Sequence, residues 1–338
     1  WMAGWDPIRA AGVDPRLPSI ADGTTDWTGD RRPLAHDVNT AQGYYGGWNN
    51  KASVDYNNAT NNHGYYLGPA HRAHVIDEYL STHDNLTFEE VRDLALNIAT
   101  TDSFGGGGNT WSFVEDVFKA AVAANPSNDR DAAIAMLDAW DGHFVAGGPA
   151  EWRMGTQRAD AWVLQDAWIK EVVRLVFEDE FETAGLEYDE QPLTINFNVL
   201  LRLLAGPDAA LPILYPAWFM DLSGSGKPTD PAEIIVLALD NVIADMGLGP
   251  YGQARPEIVY THQIFGEIWR GPWSSRSTYA QIIEYDENGP ARIESMFPLG
   301  QSGEVLPDAY GQAEFNPHFF SMIPAFDPFM PRPFPVFD

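Results

Sequence analysis

The run Gly46-Gly47-Trp48-Asn49-Asn50-Lys51 holds the residue types with the clearest chemical use. A buried Asn in such a loop presents its amide N–H₂ to an oxygen that becomes negative during reaction. That is the oxyanion-hole role, in which one donor is worth roughly 3–4 kcal/mol. Both Asn would serve equally as turn caps, and spacing alone leaves the two roles open. Other constellations reach less far. His71 and His74, with His63 nearby, supply half of a zinc site, but no carboxylate or third His completes it at a recognised spacing. No loop of alternating Asp and Asn oxygens has the calcium pattern. Gly105-Gly106-Gly107-Gly108 lacks the Lys-Ser or Lys-Thr of a phosphate loop, and Gly224-Ser225-Gly226-Lys227-Pro228-Thr229 lacks its spacing, so both are expected to be loops. Neither Leu222-Ser223-Gly224-Ser225-Gly226 nor Gly300-Gln301-Ser302-Gly303 has the Gly-x-Ser-x-Gly spacing of a nucleophile elbow. The sequons at Asn58-Ala59-Thr60 and Asn85-Leu86-Thr87 are weak signals, and the second overlaps a helix start.

The elements that must position these groups fall into three stretches. Residues 1–69 are rich in Gly, Pro, Asn and aromatics, a pattern of short strands and ordered loops. Residues 70–250 turn mainly helical. Thr87-Phe88-Glu89-Glu90 has capping-box spacing, and Val91, Leu94, Leu96 and Ile98 follow it. Leu164, Trp168, Val172 and Leu175 recur at helical spacing, with Ile169, Val173 and Val176 widening the same face. Asp230-Pro231-Ala232-Glu233 supplies an N-cap, a first-turn proline and a third-position glutamate before the run from Ile234 to Met246, which Gly247 and Pro250 stop. Over residues 251–338 alternation returns, with Tyr279, Ile282 and Ile283, then Ile293, Met296 and Phe297, reading as strands. The tail from Phe315 to Asp338 holds six Pro and many Phe and reads as a strap over the body. Strands from both ends of the chain are expected to pair in one sheet, with the helices inserted between them.

Composition narrows the classes. The chain has 338 residues, enough for a sizeable core, and no Cys, which excludes disulfides, thiolate metal sites and a cysteine nucleophile. With 20 Lys plus Arg against 48 Asp plus Glu, the net charge is −28, which argues against nucleic acid or an anionic membrane as partner. No stretch of eighteen or more uncharged apolar residues occurs, so membrane insertion is not expected. No basic-then-apolar leader opens the sequence, and the expectation is that any targeting segment has been removed. Only four of the basic residues are Lys. Acid-rich, Lys-poor surfaces suit concentrated salt, where screening removes the self-repulsion, and they also occur on ordinary acidic secreted proteins.

Asp14-Pro15-Arg16-Leu17-Pro18, Asp26-Trp27-Thr28-Gly29, Gln42-Gly43-Tyr44 and Trp48-Asn49-Asn50-Lys51 open a series of ten short motifs in the order found in the penicillin acylase (penicillin amidase) family, which the chain resembles over nearly its whole length. His71-Arg72 then precedes a helix, as an arginine does downstream of the Asn-Asn pair in that family. Leu86-Thr87 with Glu90-Val91, and Trp140-Asp141-Gly142, resemble its helical region. Arg276-Ser277-Thr278-Tyr279-Ala280-Gln281, Gly300-Gln301-Ser302-Gly303 and Pro317-His318-Phe319 resemble its closing segments. Ser275 and Ser277 replace the family's usual Asn and Gly, and Gly47 stands where Asn or another residue often precedes the Trp.

The resemblance implies an α+β fold, an αββα sandwich of the N-terminal-nucleophile hydrolase type with a large helical insertion. It implies hydrolysis of a non-peptide C–N amide bond through an acyl-enzyme on an N-terminal Ser whose own α-amino group is the base. Asn49 would be the oxyanion donor and Arg72 a cation shaping the field of the catalytic region. No cofactor is implied for the chemistry. Many members bind calcium, with one ligand position falling near Asn61, where Asn replaces the more usual Asp.

Trp1 cannot be the nucleophile, so 1–338 is expected to be the C-terminal part of a β chain, a single fragment incomplete without a partner chain. Chains of the same precursor would carry the nucleophile and the remaining strands, and the substrate would be a small acylated amide in a periplasmic or extracellular setting. Two alternatives stay open at this point: a catalytically degenerate structural or surface-assembly subunit of the same fold, and a calcium-dependent binding module.

Overall fold

A computed structural model describes residues 6–13, 18, 20–32, 37–47, 70, 72–100, 110–146, 156–188, 193–206, 218–272, 280–296, 304–307, 311–319 and 332–333. Helices and strands separate along the chain as the patterning predicts. Two strands, β1 (Asp6–Arg9) and β2 (Trp27–Arg32), come first. Seven helices follow among the described residues: α1 (Arg72–Thr82), α2 (Phe88–Thr100), α3 (Glu115–Ala124), α4 (Asn128–Asp138), α5 (Asp160–Thr183), α6 (Leu193–Ala205) and α7 (Pro231–Met246). The strands β3 (Glu257–His262), β4 (Gly266–Pro272), β5 (Ala280–Asp286), β6 (Gly289–Met296), β7 (Val305–Pro307), β8 (Ala313–Phe315) and β9 (Arg332–Pro333) complete the order. This mixed content fits an α+β fold. No helix among the described residues is long and apolar enough to cross a membrane.

The core is built on α5 and α7. α5 runs 24 residues, and its 3.6-residue period brings Leu164, Trp168, Val172 and Val176 onto a buried stripe, with Ile169 and Val173 beside it. Leu175 is only partly buried. α7 answers with Ile234, Ile235, Ala238, Leu239 and Val242. Trp168 donates its indole N–H to the Ile235 carbonyl at 2.8 Å, so the one polar atom of this large side chain is satisfied inside the apolar contact. Its ring lies 4.8 Å from Phe118 and 5.7 Å from Trp111, joining α3 to the same cluster.

Local signals set the helix ends. The capping box forms in both directions: Thr87 N–H donates to Glu90 Oε2 at 2.7 Å, and Glu90 N–H donates to Thr87 Oγ1 at 3.3 Å. Asp230 accepts from the backbone N–H groups of Ala232 at 2.8 Å and Glu233 at 3.3 Å, with Pro231 as the first helical residue. Gly247 ends α7 at φ 73°, a backbone state open to glycine at low cost. Arg130 of α4 grips Asp240 of α7 with two parallel bonds of 2.8 and 2.6 Å.

The single sheet expected of the strands at both ends is not seen among the described residues. Among the described residues they make four small sheets: β1–β2, β3–β4, β5–β6–β9 and β7–β8, all antiparallel. Among the described residues the N-terminal hairpin pairs only with itself. Its sequence explains this, because Trp27-Thr28-Gly29-Asp30-Arg31-Arg32 offers no alternating apolar face to bury against a second sheet, and Trp27 is about half exposed under the Arg9 guanidinium. β5 is covered by α2, and the charges at that seam interlock: Arg292 donates to Glu89 at 2.7 Å and to Glu294 at 2.6 Å. The Pro-rich tail returns to the body at β9, where Pro333 and Arg332 pair with Glu294 and Ser295 of β6. A sheet edge is where a proline is tolerated. A second, aromatic cluster of Phe144, Trp162, Tyr260, Phe315 and Phe319 ties β3–β4 and β7–β8 to the start of α5.

Candidate functional site

The segment 37–47, which leads into the Asn-Asn run, is a chain of turns held by local bonds. Gly43 N–H donates to the Thr40 carbonyl at 3.1 Å, Gln42 Nε2 to the Tyr44 carbonyl at 2.8 Å, and Thr40 N–H to Tyr45 Oη at 3.1 Å. It does not stand alone. The Tyr44 hydroxyl donates to Asp77 Oδ1 on α1 at 2.6 Å. That bond to the carboxylate raises the Tyr44 phenol above its ordinary value. Two residues on, Gly46 lies against Ile76, so closely that a Cβ there would meet Ile76 Cγ2 at 3.0 Å. A side chain there would require Ile76 to give way by a few tenths of an ångström.

Arg72 is the first residue of α1. The approach to it is fixed from the opposite direction. Asn198, on α6 and 6% exposed, accepts the Ala70 N–H with Oδ1 at 3.0 Å and donates Nδ2 to the Ala70 carbonyl at 3.2 Å. One buried amide therefore takes both backbone polar groups of one buried residue, Ala70, two positions before Arg72. One turn into α1, His74 sits 3.5 Å from Glu78 and stacks at a tilt on Phe113, with ring centroids 4.6 Å apart. His74 thus has partners of its own, and among the described residues no group of three or more His, Asp or Glu is arranged to hold a metal ion.

The two sequence-predicted site residues are placed unequally. Asn49 lies outside the described residues, as do Asn61, His63 and His71, while Arg72 is located by its backbone at the start of α1. What the structure brings together is their two carriers. Gly46 is three residues from Asn49, and Ile76 is one helical turn beyond Arg72. Three residues span at most about 11 Å and one turn about 5.4 Å. The loop and the helix start thus belong to one neighbourhood.

A cleft of about 390 Å³ opens elsewhere, between α5 and α7, lined by Glu171, Arg174, Tyr188, Asn241, Asp245 and Met246 among others. Glu171 there is already satisfied by Arg174 at 2.7 and 2.8 Å and Asn241 at 2.8 Å. Burial pushes this carboxyl up, but those bonds outweigh it and hold it below its ordinary value. A neutralised carboxylate of this kind is a strut between helices, and the lining includes no residue of α1 or of 37–47.

Sequence reasoning missed Asn198, the Tyr44–Asp77 bond and a buried trio of Lys227, Asp179 and Glu180. Lys227 bonds to Asp179 and lies 4.0 Å from Glu180, with all three side chains under a tenth exposed. The available signal for Asn198 was two Asn, 196 and 198, inside the apolar run Leu193–Ala205. A buried polar residue in such a helix must find a partner.

The penicillin amidase family model matches residues 1–313. The chain belongs to the penicillin amidase family. No curated protein sequence matches it at a significant level. Membership in this family suggests an amidase or acylase function.

Proposed function

We propose that this chain is one component of a processed amide hydrolase that cleaves a non-peptide C–N amide bond of an acylated small molecule. The observation that carries the proposal is the family match over residues 1–313. The docking of 37–47 on α1 supports it, because it couples the Asn49 loop to the helix that Arg72 opens.

In this mechanism the nucleophile is an amino-terminal Ser on another chain of the same precursor. Its Oγ attacks the amide carbonyl carbon while its own α-amine takes the hydroxyl proton. The carbonyl oxygen becomes negative and accepts a hydrogen bond from the Asn49 amide. The tetrahedral intermediate collapses with proton transfer to the leaving amine, leaving an acyl ester on the Ser. Water, deprotonated by the same amine, then releases the acid. Arg72 supplies positive charge near the developing anion. The chemistry needs no metal. Calcium near Asn61 would have a structural role only. The acid-rich composition suits a periplasmic or extracellular setting, the absence of Cys fits a Ser nucleophile, and neither nucleic acid nor membrane insertion enters.

Rapid acid quench of the assembled complex with phenylacetyl- and octanoyl-p-nitroanilide, followed by intact-mass measurement of every chain, tests this. An acyl adduct on the amino-terminal Ser of a co-purifying chain is expected. Turnover of neither substrate, with a partner amino terminus other than Ser, Thr or Cys, would favour the degenerate structural subunit instead.

A further inference from the structure

We propose that Asn198 is a positioning residue for the reaction, acting by fixing the backbone of Ala70, two residues before Arg72. The inference rests on the reading of Arg72 as a cation of the catalytic region.

Three observations converge on it. Asn198 lies in the apolar helix α6, flanked by Phe197 and near Leu200, both fully buried, where an amide is out of place unless it is used. Its use is specific. Oδ1 and Nδ2 engage the N–H and C=O of the same residue, Ala70, 128 positions away, at 3.0 and 3.2 Å. Ala70 itself is 2% exposed, so water does not substitute for either bond. A two-point contact of this kind, to the N–H of one peptide group and the C=O of the next, fixes the Ala70 backbone in both position and orientation. A single bond would leave the rotation.

The location completes the case. Residue 70 stands two before Arg72, outside the helix, where the backbone lacks the i to i−4 ladder that would otherwise hold it. The second turn of α1 carries the other anchor, Gly46 and Tyr44 against Ile76 and Asp77. α1 is thereby held at its entry by α6 and along its second turn by the Asn49 loop. A shift of α1 along its axis would move Arg72 relative to that loop, and misplacement by about 1 Å costs on the order of a hundredfold in rate. Asn198 blocks such a shift.

A double-mutant cycle in the assembled complex, assayed with the two p-nitroanilides, separates positioning from general stability. Asn198→Leu, which loses both bonds, is expected to lower kcat about ten- to a hundredfold with KM within about twofold. In an Arg72→Ala background the same substitution is expected to lower kcat by less than about twofold, because the group it positions is gone. Asn198→Ala, which also loses both bonds but adds no bulk or charge to the buried site, is expected to give the same pattern, and it carries the cycle if the Leu variant does not assemble. Equal losses from Asn198→Leu in both backgrounds would overturn the inference while leaving Arg72 in place. An Arg72→Ala variant with unchanged kcat would remove the reading of Arg72, and this inference with it.

Discussion

Tyr44 and Asp77 are joined by a 2.6 Å hydrogen bond across 33 residues of chain, phenol to carboxylate, at the point where the loop leading to Asn49 meets α1. The contact lies at the surface, where a single polar bond contributes little to global stability. Its value is geometric, because it sets where the loop crosses the helix.

Tyr44→Phe keeps the ring and deletes only the donor. It is expected to reduce kcat about three- to tenfold with almost no change in melting temperature. Circular dichroism melts and p-nitroanilide kinetics on the same preparation check this. Loss of melting temperature in proportion to loss of rate would instead mark the bond as structural.

Glu180 gives a pH prediction. Burial and the adjacent Asp179 carboxylate push it up from 4.5 to about 8, and only Lys227 acts in the opposite sense among its charged neighbours. Its folded value lies above its unfolded one, so the contribution is fully present below about pH 4.5 and is lost as pH rises toward 8. Asp179 has the reverse sign: burial raises it, but Lys227 and the Leu222 N–H outweigh burial, and its contribution is lost as pH falls. Urea unfolding of Glu180→Gln between pH 5 and 8.5 should show a flatter decline than wild type. An identical slope would place Glu180 in its ordinary range.

The α7 cap is a simpler test. Asp230→Ala leaves the Ala232 and Glu233 N–H groups without their acceptor and is expected to cost about 1 kcal/mol in urea unfolding. Because α7 packs directly on α5, the loss should appear in the global transition. A loss confined to a separate early transition would show that α7 frays alone.

The charge of −28 predicts a salt response. Raising NaCl from 0.1 to 1 M shortens the screening length from about 10 Å to about 3 Å, which weakens self-repulsion more than it weakens close pairs such as Arg130–Asp240. Melting temperature should rise over this range. A fall would mean that attractive pairs dominate and that the acid surface is not an adaptation to salt.

These contacts divide sharply in how far they could be read from sequence. The capping box at Thr87 and Glu90, the Asp230 cap and the α5 stripe are local, set by residues within one or two turns, and the spacing carries them. Ala70–Asn198 spans 128 residues, Lys227–Asp179 spans 48 and Tyr44–Asp77 spans 33. Nothing in the immediate neighbourhood of those residues encodes the partner; packing of helices does. Strand pairing is no more legible for the same reason, since β-propensity at both ends of a chain says where strands form and not which ones pair. Asn49 and Arg72 were found through a motif's resemblance to a family. Their residue types alone left the Asn a turn cap as readily as an oxyanion donor.

The central claim, that the Asn49 loop serves amide hydrolysis, is tested most directly by Asn49→Ala in the assembled complex. Turnover of the p-nitroanilides should fall about a hundred- to a thousandfold, while the chains still co-purify and KM changes little. Full turnover by an assembled Asn49→Ala complex would contradict the account.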